Sequence, residues 1–276
     1  MVFRWPEGHF YSTVPSQNEI ANALRSARGQ NSRLKEEIAG YSTVDENLEL
    51  LFSNQLSQSD TQLMKSNLYP QNSTQFVYSD ALVLRAVLNE LKPRRVIEVG
   101  SGHSSAVLLD HQRSSNRDIR LTMIEPYPQR LELTLGSEYQ HIDLRNCPVQ
   151  EIDESLWREL GAGDLLFIDS SHVVKAGSDV SHLFFEVLPI LRSGVIIHIH
   201  DVFRNFEYPE KWFSDGRFWN ESYMLRAFLT FNSRFRIQYW PCSNRKLYKE
   251  LVASVIGKEL EPGSSIYLLV TENELD

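Results

Sequence analysis

Two short clusters hold most of the reactive side chains of this 276-residue chain. Asp169-Ser170-Ser171-His172 ends the apolar run LLFI, and His198-Ile199-His200-Asp201 closes the run GVIIHIH. Carboxylates and imidazoles gathered at the ends of apolar runs can do two kinds of work. Asp169, His200 and Asp201 can converge on a divalent cation, which lowers the pKa of a coordinated hydroxyl. Imidazole in such a set suits Mn, Fe or Zn better than Mg. Alternatively, His172 or His200 serves as a general base, with Asp169 or Asp201 orienting its ring. Strand alternation puts His198 and His200 on one face. His198, inside an apolar strand, reads first as a hydrogen-bonded core residue. Asp179 and His182 read as a cap and a helix-surface residue.

A second constellation lies upstream. The run RVIEVGSGHSS, Arg95 to Ser105, passes from an apolar strand through Gly100-Ser101-Gly102 into a helix-forming segment. The next apolar run, LTMIE, ends in Glu125. Glycines let a backbone approach a ligand closely. An acid at the end of the second strand can take both hydroxyls of a ribose. The loop is a partial match to G-x-G-x-x-G, with Ser105 where the last glycine would stand. Glu98 inside the first strand would repel a pyrophosphate, but it can order the loop or contact an ammonium group. An adenosine-containing cofactor fits these residues better than a nicotinamide dinucleotide.

The elements that must hold these residues are α/β. A helix capped by Ser79 or Asp80 ends at Pro93. Strands follow at 96–99 and 121–124, a short one near 141–145, then LLFID to Asp169 and GVIIHIH. Helices are predicted between them: one after Ser104, one capped by Asp153, and one over 178–191 that Pro189 shortens. Asn220 caps a further helix, and FRIQYW and SIYLLV give two final strands. The pattern predicts a doubly wound, mostly parallel seven-stranded sheet over residues 71–276, preceded by an N-terminal helical extension over 1–70 with helices near 17–39 and 45–66. The thin apolar faces of those two helices suit packing on a neighbouring domain or a partner chain, including a homo-oligomer.

Composition narrows the class. Net charge is −8, which argues against a nucleic-acid partner, and Cys147 and Cys242 lack the spacing of a structural zinc site. No apolar run reaches the roughly 20 residues that cross a bilayer, and the N-terminus lacks a signal-peptide core. No membrane association and a cytoplasmic location are the expectations.

As a set, KPRRVIEVGSGHSS, IEPYP, DLLFIDSSHVVKAGSDV, GVIIHIHDVF and GRFWNESYMLRAFL resemble class I S-adenosylmethionine-dependent methyltransferases, specifically the bacterial class 24 group. The resemblance covers about residues 75 to 240. It implies a Rossmann-like methyltransferase fold that binds S-adenosylmethionine through Glu98, Gly100, Ser101, Gly102, Glu125 and Asp169, with Gln150 close to the adenine. It also implies O-methylation of a small-molecule or sugar hydroxyl, with a divalent metal (Mg, Mn or other) held at the ends of the fourth and fifth strands. There His200 stands where metal-dependent relatives tend to carry an acid. Asp169, His172, His200 and Asp201 are the expected catalytic residues. The aromatic-rich stretch 202–222 reads as a binding loop, with Phe203, Tyr208, Trp212, Phe218 and Trp219 walling a pocket and Arg217, Asn220, Glu221 and Arg226 supplying polar contacts. Tyr78 and Ser79 lie where relatives close over the cofactor. Two alternatives are a nonenzymatic cofactor-binding or assembly protein and a nicotinamide dehydrogenase.

Overall fold

Alternating apolar runs and amphipathic segments fold, in the computed structural model, into one sheet flanked by helices. The structure describes residues 5–29, 31–115 and 117–272. The N-terminal segment forms α1 (Gln17–Gly29), α2 (Asn31–Glu37) and α3 (Val44–Met64). Then α4 (Tyr78–Leu91), β1 (Arg95–Val99), α5 (His103–Ser114), β2 (Arg120–Ile124), α6 (Gln129–Leu135) and β3 (Asp143–Arg145) follow. The second half runs through α7 (Glu154–Arg158), β4 (Leu165–Ile168), α8 (Asp179–His182), β5 (Ile196–Ile199), α9 (Glu210–Ser214), α10 (Glu221–Leu229), β6 (Phe235–Tyr239), α11 (Arg245–Ile256) and β7 (Ile266–Val270).

The strand order is β3-β2-β1-β4-β5-β7-β6. β3 to β5 run parallel, and β7 enters antiparallel between β5 and β6. The order reverses at β1, between β2 and β4, and ligands of open α/β sheets bind above such a switch point. Pleating divides the core. Ile97, Val99, Leu166, Ile168, Ile197 and Ile199 face one layer, which takes in Leu34 and Ile38. Val96, Met123, Leu165, Phe167 and Ile196 face the other, where α3 contributes Leu48, Leu51, Phe52, Leu56 and Leu63. These five residues of α3 therefore join the sheet's own core, packed against α4 and α11, whereas Leu50 and Met64 of the same helix stay exposed.

Several local expectations are corrected. Neither Ser79 nor Asp80 caps α4, which begins at Tyr78 with extended Val77 before it. Asp80 is buried inside the first turn instead, because Ser264 and Ser265 supply it with hydrogen bonds. The predicted helix over 178–191 is broken: α8 gives way to a π turn at Leu183–Val187 and a 3-10 turn at Leu188–Ile190. Pro189 has no N–H to give the carbonyl four residues back, so the regular ladder cannot continue. Asn220 precedes α10 without capping it; its Oδ1 accepts from Val174 N at 2.6 Å. Helices α6, α9 and α11 have no counterpart in the predicted pattern, which reads 202–222 as a loop.

Candidate active site

The ladder continues one residue beyond each central strand. Gly100 N donates to Ile124 O, Glu125 N to Arg145 O, Asp169 N to Val99 O and His200 N to Ile168 O, at 2.8–3.1 Å. Gly100, Glu125, Asp169 and His200 therefore leave the sheet at the same level. Above them lies a cavity of about 1310 Å³ that all four line. A smaller one of about 430 Å³ adjoins it, sharing Gly100, Glu125 and Asp169 and adding Val149 and Gln150.

The glycine loop is built from beneath. Gly100 has φ +79°, and a Cβ there would overlap the Asp169 carbonyl oxygen. Only glycine fits this turn. Gly102 N donates to Ser105 Oγ at 2.9 Å, and Ser104 Oγ and Ser105 Oγ donate to the two carboxylate oxygens of Glu98 at 2.7 and 2.5 Å. Burial pushes the Glu98 carboxyl up to about 7 despite these serine hydrogen bonds. The expectation that Glu98 faces a ligand is corrected here. It is fully buried, lines neither cavity, and orders the loop from below. Glu125 is the acid at the surface of the cavities, accepting from Ser101 N at 3.0 Å and Tyr127 N at 2.7 Å. Ser101 lines the larger cavity, whereas Gln150 lines the smaller and donates to Gly177 O.

The acid and histidine cluster sits between β4 and β5. His172 turns with φ +61°, which swings its ring back over the strand ends. Its Nδ1 lies 2.8 Å from Glu221 Oε2, and its Nε2 lies 3.3 Å from Asp169 Oδ1 and 3.6 Å from Asp201 Oδ2. Burial opposes a charge on His172, yet Asp169 and Glu221 raise its pKa well above the usual imidazole value. Burial likewise disfavours ionised Asp169, but His200 and His172 hold it below the ordinary carboxylate value. The ligand atoms of Asp169, His172 and Asp201 all lie within 4.8 Å of one another. His172, rather than His200, thus completes the cluster with the two carboxylates.

His200 is held from the other side. Its Nε2 lies 3.6 Å from Asp201 Oδ1, and its Nδ1 lies 3.3 Å from Ser265 Oγ, which donates to buried Asp80 at 2.5 Å. Burial opposes its charge, while Asp201, Asp169 and Asp80 raise its pKa. His198 shares its face and stacks on Phe167 with centroids 3.9 Å apart. Neither of its ring nitrogens has a hydrogen-bond partner among the described residues, so it is not the hydrogen-bonded core residue expected. Burial, with His200 beside it, lowers its pKa well below the usual value. Sequence reasoning missed the wall formed by Asp80 and by 261–264, although Pro262-Gly263 marked a turn.

Phe203, Trp212 and Trp219 line the larger cavity. Phe203 and Trp212 meet edge to face at 4.9 Å, as do Trp212 and Trp219. Arg217 stacks 5.0 Å from the Trp212 centroid. Tyr208 and Phe218 do not line the cavity; the Tyr208 hydroxyl accepts from Ser222 N inside the fold.

The strand order and the glycine turn after β1 are those of the Rossmann-like class I methyltransferase fold. A family model described as a methyltransferase domain, of the class 24 group, matches residues 97–202. An uncharacterized protein of Archaeoglobus fulgidus is 30% identical over 164 residues, 56% of this chain and 73% of that protein. The chain belongs to the class I S-adenosylmethionine-dependent methyltransferases. Among solved structures, a Podospora anserina methyltransferase with S-adenosylhomocysteine bound is 13% identical, with a TM-score of 0.48 over 95% of this chain and 99% of that one. The O-methyltransferase TomG of Streptomyces achromogenes, in complex with S-adenosylmethionine, is 13% identical, with a TM-score of 0.45 over 80% of this chain and 90% of that one. No helix among the described residues is long and apolar enough to cross a membrane.

Proposed function

We propose that this chain transfers the methyl group of S-adenosylmethionine to a hydroxyl oxygen of a small molecule or sugar. One observation carries the reading: Gly100, Glu125, Asp169, His172, His200 and Asp201 all line a single cavity. Adenine sits in the smaller recess beside Val149 and Gln150, Glu125 takes the ribose hydroxyls, and the sulfonium faces Asp169. The acceptor enters between Asp169, Asp201 and the wall of Phe203, Trp212 and Trp219. Methyl transfer is a direct displacement, so the chain must align the oxygen, exclude water and accept a proton. The aromatic wall excludes water and the acidic floor receives the proton.

A divalent cation fits the cluster of Asp169, His172 and Asp201. Glu221 on Nδ1 of a neutral His172 fixes the tautomer that leaves Nε2 free toward the two carboxylates. When bound, such an ion would lower the pKa of the acceptor hydroxyl. In the absence of a cation, the carboxylates around His172 and His200 favour the protonated rings, which works against either as a general base.

Calorimetric titration with S-adenosylhomocysteine tests the cofactor site; folded protein that shows no binding rejects the reading. Titration with Mn²⁺ separates the two routes, since binding that disappears in Asp201→Asn and His172→Gln supports the cation. A nonenzymatic role would be favoured by an unaltered cellular phenotype in folded Asp201→Ala and His200→Ala variants. Most apolar residues of α3 are used inside the fold, with Leu50 and Met64 exposed, which weakens the case for a homo-oligomer built on that helix.

A further inference from the structure

Methionine gives the cofactor a zwitterionic tail, with one α-ammonium and one α-carboxylate. The carboxylate needs a cation or a set of donors, since burying it without a partner is costly. On the reading above, the tail runs from Glu125 along Gly100 toward Gly102. The arginines lining the larger cavity are Arg130 and Arg217. Arg217 is committed elsewhere, stacked on Trp212 and Trp219 at 5.0 and 5.7 Å in the aromatic wall.

Arg130, the second residue of α6, lies against the glycine loop. Its Cδ comes within 3.3 Å of the position a Cβ on Gly102 would take, so the aliphatic stem crosses the loop where Gly102 leaves room. Arg130 makes no ion pair with any described residue. Its charge is felt by Asp169 and by His103, both of which it pulls toward lower pKa as a lesser influence. His103 does not compete for the carboxylate. Burial first, then Arg130, lowers its pKa, and its Nδ1 lies 2.6 Å from Ser73 Oγ. Arg130 lines the cavity and is exposed there, beside Gly102 at the start of the 12-residue α5, and its guanidinium offers a fork geometry to a carboxylate.

We infer that Arg130 anchors the α-carboxylate of the cofactor's methionine tail. The inference rests on the cofactor placement proposed above, and a pair of ligands separates the two. S-Adenosylhomocysteine carries the carboxylate; 5′-methylthioadenosine keeps adenine, ribose and sulfur but lacks it. Binding of both is measured by calorimetry on wild type, Arg130→Gln and Arg130→Lys, with circular dichroism and thermal melting to establish folding. The expected result is a loss of about 10- to 100-fold in S-adenosylhomocysteine affinity for Arg130→Gln. Affinity for 5′-methylthioadenosine should stay within about twofold, and Arg130→Lys should fall between, because an ammonium restores the charge without the fork. Unchanged S-adenosylhomocysteine binding by Arg130→Gln overturns the inference and leaves the cofactor site standing. Equal weakening of both ligands also overturns it, since that marks a merely structural role. Wild-type protein that binds neither ligand removes the cofactor placement and the inference together.

Discussion

His172 Nδ1 and Glu221 Oε2 meet at 2.8 Å across 49 positions of sequence, tying the turn after β4 to the first turn of α10. The backbone repeats the tie, because Asn220 N and Glu221 N both donate to His172 O. Glu221 is 1% exposed, so neither partner can turn to water when the other is removed. Removing one member of a buried ion pair costs about 3–5 kcal/mol, whereas removing both costs less than the sum. Urea unfolding at neutral pH should therefore show Glu221→Gln and His172→Gln each strongly destabilised, with the double variant better than additive. Strict additivity would mean that the contact is not coupled.

Gly100 should tolerate no other residue. A Cβ there would strike the Asp169 carbonyl, and the φ of +79° adds its own strain. Left-handed backbone at a non-glycine residue costs on the order of 1–3 kcal/mol, and relieving the overlap must move the β4 end as well. Gly100→Ala is expected to lose S-adenosylhomocysteine binding and to unfold at lower urea. Wild-type affinity in this variant would contradict the turn geometry.

The pH dependence of stability should carry the signature of Glu98. Its folded pKa of about 7 lies above the ordinary 4.5, because burial outweighs the serine hydrogen bonds. The protonated form is thus the one the fold favours. The contribution is fully present below pH 4.5 and is lost as pH rises through about 7. A shift of this size corresponds to roughly 3 kcal/mol across the window. Glu98→Gln should flatten the stability profile between those limits. A variant whose profile keeps the wild-type slope there would place the titration on another group.

Gly263 packs on Asp80 closely enough that a Cβ would overlap its carboxylate. Gly263→Ala should dislodge Asp80 from Ser264 and Ser265, loosening His200 through Ser265 and Asp201, a member of the cation cluster, through Ser264. A fall in melting temperature of a few degrees, at about 2 °C or more per kcal/mol, together with weaker Mn²⁺ binding, is the expected pair of results. An unchanged melting curve would show that the 261–265 segment is free to move.

The parallel half of the sheet was legible because buried strands read as unbroken apolar runs, and Gly100, Glu125, Asp169 and His200 fall directly after them. Periodicity could not show which histidine joins the two carboxylates. Alternation along β5 pointed to His200, whereas the left-handed turn at His172 brings that ring in from a loop with no period. Nor could it show the wall around Asp80. That wall exists because β7 inserts between β5 and β6 and carries Ser264 and Ser265 to β5, a pairing across more than 60 residues that no local pattern encodes. Glu98 was read correctly as able to order the loop, but its separation from the cavities depends on which pleat faces which layer.

His172 at φ +61° and Asp201 at φ +57° leave β4 and β5 through the same uncommon backbone twist. Histidine, aspartate and asparagine are the side chains that accept it most readily. A saturation library at these two positions would therefore sort itself along two axes. Asparagine and glycine would keep the loops in shape while stripping out acid–base character, whereas valine and isoleucine would disturb both at once. Catalytic contribution at either position is best read from the asparagine variants, and a conventional alanine scan would blur chemistry with loop geometry.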